Sequence, residues 1–111
     1  MRVLLDENLP HRLRLAFGNH EAFTAAFMGW DGLQNGELIA RAEAEGFEVF
    51  LTADRNLEYQ QNLDARRIAM VFLTAQDWDV IKPHVAKIVD AVDAAFEGSY
   101  QLVDCGRFIR V

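Results

Sequence analysis

The first ten residues, MRVLLDENLP (residues 1–10), contain the pattern that decides the fold. An apolar run, Val3-Leu4-Leu5, is followed directly by Asp6 and Glu7. The run predicts a buried β-strand, and the two acids mark the point where it ends. Because an unpaired carboxylate is costly to bury, acids at this position need either hydrogen-bonding partners or a role in a polar site.

Similar strand and helix patterns alternate along the rest of the chain. Apolar runs predict three further strands, at residues 22–27, 47–52 and 68–73. Apolar residues at three- and four-residue steps predict helices at residues 9–17, 37–45 and 78–96, and a short helix is expected at 54–61. Residues 102–103 and 108–111 are expected to form a terminal hairpin. This alternation predicts an α/β fold, in which helices flank a mostly parallel central sheet as a three-layer sandwich.

Length and composition limit the classes of protein that fit. The 111 residues are expected to form one domain over residues 1–111. No apolar run approaches the roughly 20 residues of a membrane span, and the N-terminus lacks a signal-peptide pattern, so we expect a cytoplasmic protein with no membrane partner. Cys105 is the only cysteine, which excludes an internal disulfide and a cysteine-ligated zinc site. A net charge of −6 means that any nucleic-acid role needs a metal ion or a local basic patch.

Three acids are expected to meet at one edge of the sheet. Asp6 and Asp54 each follow a predicted strand, and Glu37 begins a predicted helix whose start opens onto the same edge. Carboxylates gathered in this way repel one another unless a cation lies between them, and oxygen ligands favour Mg²⁺ or Mn²⁺. The structural alternative is that each acid serves as a helix cap or as a charge near a helix N-terminus.

Three segments together resemble a known family. They are RVLLDENLPHRL (residues 2–13), GWDGLQNGELIARA (29–42) and FLTADRNLEYQQNL (50–63), and the resemblance covers roughly residues 1 to 75. In order and spacing they are similar to the short PIN-like proteins, relatives of the PIN-domain ribonucleases that are often encoded as toxins of toxin–antitoxin pairs. The resemblance implies a PIN-like sheet and an acidic Mg²⁺ or Mn²⁺ pocket that hydrolyses phosphodiester bonds in RNA. It also implies an antitoxin protein as a partner and a homodimer as a common assembly.

The resemblance assigns roles to individual residues of this chain. It implies that Asp6, Glu37 and Asp54 are catalytic residues that hold the metal ion. Asn56 stands where many relatives have an aspartate; it is expected to orient a water molecule or a phosphate oxygen, and it weakens the case for a second metal ion.

Further polar residues are candidates for binding the substrate. Asn8 is expected at the rim of the pocket, where its carbonyl can accept or its amide can donate a hydrogen bond. Arg12 and Arg55 are expected to supply the local positive charge that an acidic protein needs near RNA, with help from other arginines on the same helices. Solvated arginines on a helix surface are the structural alternative.

Two other functions remain open at this point. A catalytically weak PIN-like module could bind a partner, with Trp30 either as an interaction anchor or as part of the core. The start of the chain also resembles that of a response-regulator receiver, with Asp54 near the position of a phosphoacceptor. The spacing argues against a receiver, because Thr74 and Lys82 are too close in sequence to end two successive strands joined by a helix.

Overall fold

A computed structural model of the chain describes residues 1–54 and 67–106. Within these residues one sheet is formed by the strands Arg2–Leu5 (β1), Glu21–Thr24 (β2), Val49–Thr52 (β3), Ala69–Leu73 (β4) and Tyr100–Val103 (β5). All neighbouring strands are parallel, in the order β2-β1-β3-β4-β5. The prediction of an α/β fold with a mostly parallel sheet is confirmed. The expected helix at 54–61 and the second half of the terminal hairpin lie almost wholly outside the described residues.

Within the described residues, helices connect β1 to β2, β2 to β3 and β4 to β5. The described α-helices are Asn35–Ala44 (α1), Trp78–Ile81 (α2) and Val85–Asp93 (α3), and His11–Ala16 and Lys82–His84 form 3-10 helices. The prediction of one long helix over residues 78–96 is wrong. Pro83 has no N–H and its ring crowds the carbonyl one turn earlier, so the chain tightens into the 3-10 turn between α2 and α3. The helical pattern also placed Phe96 in the core, whereas 71% of it is exposed beyond the end of α3.

The predicted first helix is a 3-10 helix with a different cap. Pro10 precedes it in an extended conformation, and no side chain caps its first turn. The apolar residues of this segment still point inward: Leu13 and Phe17 are buried. Asn8 does not cap this helix; its side-chain oxygen accepts a hydrogen bond of 3.4 Å from the backbone N–H of Ala53.

The core consists of two apolar clusters, to which alternate residues of the strands contribute. Val3 and Leu5 belong to the cluster that contains Leu13 of the first 3-10 helix and Ile88 of α3. Leu4 belongs to the other, which is built from α1 and the aromatic residues around it, namely Leu38, Ile39, Ala42, Phe47, Phe50 and Phe72. Because successive side chains of a strand point to opposite faces, each cluster lies on its own side of the sheet.

The two edges of the sheet are built differently. At the amino edge, where strands begin, the connections are tight: Gly46 ends α1 with φ at 82°, and its N–H donates to the carbonyl of Glu43. At the carboxyl edge, residues 6–10, 25–34 and 74–77 form the loops. Trp30 is buried and anchors the longest of these loops in the core. Its ring packs edge-on against that of Phe47, with ring centres 5.8 Å apart and an angle of 75° between the ring planes. Trp30 is therefore part of the core, not an exposed anchor.

No helix in the described part of the chain combines the length and the apolar character needed to cross a bilayer.

Candidate functional site

The strand order determines where a ligand site is expected. Starting from β1, the chain places β2 on one side of it and β3 on the other, so the order reverses beside β1. In doubly wound sheets, ligands bind outside the carboxyl ends of the strands at such a reversal. Asp6 follows β1 directly and Asp54 lies two residues beyond β3, so both acids lie at this point.

Asp6 is a buried carboxylate held on both of its oxygens. Only 5% of the residue is exposed, and its backbone N–H donates to the carbonyl of Leu51 at 2.9 Å, which extends the pairing of β1 with β3. Oδ2 accepts a hydrogen bond of 2.7 Å from the hydroxyl of Thr52, and Oδ1 accepts one of 2.8 Å from the N–H of Glu7. These contacts fix the orientation of the carboxylate.

Thr52 connects the two acids. Its side chain is fully buried, and its hydroxyl donates to Asp6 while it accepts from the backbone N–H of Asp54 at 3.0 Å. A hydroxyl oxygen can accept one hydrogen bond while it donates its single proton in another, so Thr52 accepts from the N–H of Asp54 and donates to the carboxylate of Asp6. The three residues form one hydrogen-bonded unit at the ends of β1 and β3, hereafter the Asp6–Thr52–Asp54 cluster.

The environment of Asp6 favours its protonated form. Burial raises the pKa of its carboxyl group, the hydrogen bonds from Thr52 and Glu7 oppose that rise, and the charges of Glu7 and Asp54 add to it. A cation placed beside these carboxylates would favour the charged form of Asp6, since an opposite charge lowers the pKa of a carboxyl group.

Glu37 is the third acid predicted to hold the metal ion. It is exposed in the first turn of α1, and the start of α1 follows the loop at the carboxyl edge. In residues 1–54 and 67–106, no group of three or more His, Cys, Asp or Glu side chains could hold a metal ion. Glu7 is exposed and accepts a hydrogen bond of 3.3 Å from the N–H of Gly32, so it ties down the loop before α1.

The proposed substrate-binding residues fall into two groups. Asn8 lies at the carboxyl edge, between the ends of β1 and β3. Arg12 is at the same edge, with its guanidinium carbon 5.6 Å from the centre of the Trp78 ring. Asn56 and Arg55 lie outside the described residues.

Thr52 is the residue of this cluster that the sequence analysis missed. A signal for it existed: Thr52 is the polar last residue of an otherwise apolar strand, and Asp6 follows another such strand. Period-two alternation places Thr52 on the face of Phe50, and Asp6 on the face of Leu4, which lie in the same core cluster. The adjacency of β1 and β3, which brings the two residues together, depends on the strand order.

The oxygen donors of the cluster suit one kind of metal ion. Mg²⁺ keeps several of its water molecules and is usually bound through one or two carboxylates together with substrate phosphates. The carboxylates of Asp6 and Asp54 match this requirement, and each oxygen of Asp6 has a second lone pair beyond the hydrogen bond that it accepts. The pair therefore fits a hydrated Mg²⁺ or Mn²⁺ ion better than Zn²⁺, which prefers nitrogen and sulfur ligands.

The receiver interpretation fits the strand order but not the positions of the polar residues. The order 2-1-3-4-5 is a common doubly wound arrangement that receiver domains share. Lys82, however, begins the 3-10 turn between α2 and α3, far from the end of a strand. The residue that follows β5 is Asp104, an acid, so the end of this strand does not supply the cation.

Comparisons with known proteins add no assignment. No protein-family model matches the chain, and neither a curated protein nor a solved structure gives a match.

Proposed function

We propose that the chain is a PIN-like hydrolase that cleaves phosphodiester bonds in RNA with Mg²⁺ or Mn²⁺, and that Asp6 and Asp54 are its main metal-binding residues. The observation that supports this proposal is the Asp6–Thr52–Asp54 cluster at the reversal of strand order. A buried carboxylate that is costly to charge, next to a second carboxylate, is typical of a functional site and not of a structural cap.

Each residue of the cluster has a distinct part in this proposal. A bound divalent ion would supply the activation of a water molecule and the neutralisation of charge on the phosphate. Thr52 and the N–H of Glu7 hold the carboxylate of Asp6 in a single orientation, so little reorganisation is needed when the ion binds. Asp54, fixed to Thr52 through its backbone, supplies the second carboxylate.

The remaining predicted site residues would act around this pair of carboxylates. Glu37, on the first turn of α1, would contact the ion through a water molecule, and Asn56 would orient a water or a phosphate oxygen. Asn8 and Arg12 at the carboxyl edge, together with Arg55, would contact the RNA backbone. The resemblance of residues 1–75 extends the proposal to a toxin of a toxin–antitoxin pair, cytoplasmic, with an antitoxin as partner and a homodimer as assembly.

The test is a cleavage assay with matched variants. Single-stranded RNA is incubated with Mn²⁺ and the purified wild-type protein, Asp6→Asn, Asp54→Asn or Asp90→Asn. Asp90 is an exposed acid on α3, so its variant controls for the loss of one negative charge. We expect Asp6→Asn and Asp54→Asn to lower the rate by at least about 100-fold, and Asp90→Asn to leave it unchanged. Cleavage by Asp6→Asn at the wild-type rate would exclude the proposed site.

A PIN-like binding module without strong catalysis is the second candidate. It is favoured by the lack of a third ligating side chain beside Asp6 and Asp54 within the described residues. Calorimetric titration of the wild-type protein and Asp6→Asn with Mn²⁺ separates the two functions. A hydrolase requires saturable binding that Asp6→Asn abolishes, whereas a binding module without a metal site gives the same weak heats for both proteins.

A further inference from the structure

One edge of the sheet is open on its outer side. β2 pairs with β1 along one side, and no other strand of residues 1–54 and 67–106 pairs with it. The N–H groups of Glu21 and Ala25 donate to the carbonyls of Met1 and Leu5 on the β1 side. Since backbone groups alternate in direction along a strand, the N–H and C=O of Ala22 point away from β1, toward the open side.

A groove runs beside this edge. It has a volume of about 480 Å³, and the residues that define this β2-edge groove include His11, Arg14, Ala22, Phe23, Thr24 and Phe27. Its ionisable side chains are both basic types, although the whole protein has a net charge of −6. The three other described surface depressions each contain acidic residues. The β2-edge groove therefore differs in charge from its surroundings.

The groove also exposes an aromatic surface. The side chain of Phe27 is stacked on Phe23, with ring centres 5.7 Å apart and planes 28° apart, yet 75% of Phe27 is exposed. The backbone N–H of Phe27 donates to the hydroxyl of Thr24 at 3.1 Å, which fixes the turn after β2. Phe27 is thus held in place at the surface, and with the half-buried Phe23 on which it stacks it forms a contiguous apolar patch that a protein partner can cover.

The basic and aromatic residues of the groove lie on opposite faces of the sheet. His11 and Arg14 belong to the 3-10 helix that buries Leu13 in one core cluster. Phe23 packs against the other cluster. A strand added to β2 would point alternate side chains to the two faces, so one set would meet the basic residues and the other set the aromatic residues.

We propose that the β2-edge groove binds an extended peptide segment of another protein, in which acidic and apolar residues alternate. The segment would pair with the outward backbone groups of Ala22, as in β-strand addition. Its carboxylates would face His11 and Arg14, and its apolar side chains would cover Phe27. The proposal does not use Asp6 or Asp54 and is independent of the proposed hydrolase.

The other occupants fit the groove less well. A single-stranded RNA could stack on Phe27 but would not pair with the backbone of an edge strand, and the groove offers it few cations. A second copy of the chain would bring its own β2, whose only carboxylate, that of Glu21, is already 3.8 Å from Arg2. An alternating acidic segment satisfies the backbone, the charge and the aromatic surface at once.

The test uses three blocked eight-residue peptides and the ¹⁵N-labelled protein. The peptides are (Glu-Val)₄, (Lys-Val)₄ and a Glu₄Val₄ isomer that keeps the composition but removes the alternation. We expect (Glu-Val)₄ to shift the amide resonances of residues 22–27 and to bind at least about tenfold more tightly than the other two. Equal affinity for all three peptides, or shifts confined to other residues, would overturn the proposal.

Variants and competitors complete the test. Phe27→Ser should weaken (Glu-Val)₄ binding by about tenfold, whereas Leu15→Ser should not change it, because Leu15 is 70% exposed but does not line the groove. Arg14→Glu should reverse the preference toward (Lys-Val)₄. The proposal fails if an oligoribonucleotide displaces the peptide from the same resonances. It also fails if those resonances shift with protein concentration alone, since a second copy would then cover the groove.

Discussion

Asp6 combines two properties that oppose each other in a folded protein. Its carboxyl group is buried, which favours the neutral form, and it accepts hydrogen bonds from Thr52 and from the N–H of Glu7, which favour the charged form. Burial is the larger effect, so the pKa of Asp6 is raised above its ordinary value of 3.8. A residue whose ionisation opposes folding is more easily explained by function than by stability.

The raised pKa predicts how stability changes with pH. Because the folded state binds the Asp6 proton more tightly than the unfolded state, the contribution of Asp6 to the free energy of unfolding is greatest below 3.8 and falls as pH rises through its folded pKa. Asp6→Asn removes this dependence. Urea unfolding of both proteins from about pH 4 to about pH 8 should therefore show the wild type losing stability relative to Asp6→Asn. A difference that stays constant over this range would contradict the assigned shift.

Thr52 offers a second prediction at this scale. Thr52→Val keeps the shape of the side chain but removes the hydroxyl that donates to Asp6 and accepts from Asp54. We expect the free energy of unfolding at neutral pH to fall by about 1 to 3 kcal/mol, since the buried carboxyl group of Asp6 loses the hydrogen bond from Thr52. Thr52→Ser retains the hydroxyl and therefore both hydrogen bonds, so it should be more stable than Thr52→Val. Urea denaturation of the wild type and the two variants measures these free energies of unfolding. Equal stability of Thr52→Val and Thr52→Ser would show that the hydroxyl does not stabilise the link between Asp6 and Asp54.

At the scale of the elements, hydrogen bonds from one side chain of α1 add to its apolar packing against β4. Glu43 is half-buried near the end of α1, and its Oε1 accepts from the backbone N–H groups of Arg67 at 2.9 Å and Ile68 at 3.1 Å. These two residues lead directly into β4. One carboxylate thus links the helix on one face of the sheet to the start of a central strand.

The contact predicts that substitution of Glu43, in α1, lowers the free energy of unfolding more than substitution of Glu45, the C-cap residue of the same helix. Glu43→Ala should lower the free energy of unfolding by about 1 to 3 kcal/mol, because two backbone donors lose their charged acceptor. Glu45→Ala, at the exposed C-cap residue, should change it by less than about 0.5 kcal/mol. Thermal or urea unfolding of both variants provides the measurement. Similar values for the two would show that Glu43 is no more important than a surface charge.

The strands of the central sheet were easier to predict from the sequence than the type and ends of the helices, because burial on both faces of the sheet requires apolar residues. The runs that form β1 and β4 are almost purely apolar, as expected for strands buried on both faces, and the run that forms β3 is rich in strand-forming residues. The prediction of one helix over residues 78–96 was wrong because apolar residues keep their three- and four-residue spacing across Pro83. This spacing does not reveal that the backbone changes from α-helical to 3-10 hydrogen bonding there. The 3-10 form of the first helix was likewise invisible to a pattern of apolar residues.

At the scale of the whole molecule, the strand order controls how the local predictions combine. That Asp6 and Asp54 would share an edge could be predicted, because parallel strands all end on the same side. The contact through Thr52 could not, because it requires β1 and β3 to be direct neighbours, and adjacency of strands depends on long-range packing. Glu37 lies in the first turn of α1, the helix that starts at this edge, and its side chain is exposed to solvent.

The sheet order also predicts where the fold is most resistant to local opening. β3 and β4 are paired on both sides and buried throughout, whereas β2 and β5 pair on one side within the described residues and are partly exposed. Amide hydrogen exchange should be slowest in β3 and β4 and distinctly faster in β2 and β5. The comparison can be made by NMR or mass spectrometry on the free protein. Protection of β2 equal to that of β3 would indicate that its outer edge is covered in solution.

The difference between the two edges of the sheet has a consequence for protein engineering. The tight amino-edge connections, such as the one closed by Gly46, hold the framework together, whereas the residues of the Asp6–Thr52–Asp54 cluster and the loop anchored by Trp30 lie at the opposite edge. Randomised libraries could therefore be installed at the exposed residues Asp31 and Gln34, while Gly32, with φ at 89°, and the scaffold are left intact. New specificities could be selected there without redesigning the parts that make the chain fold.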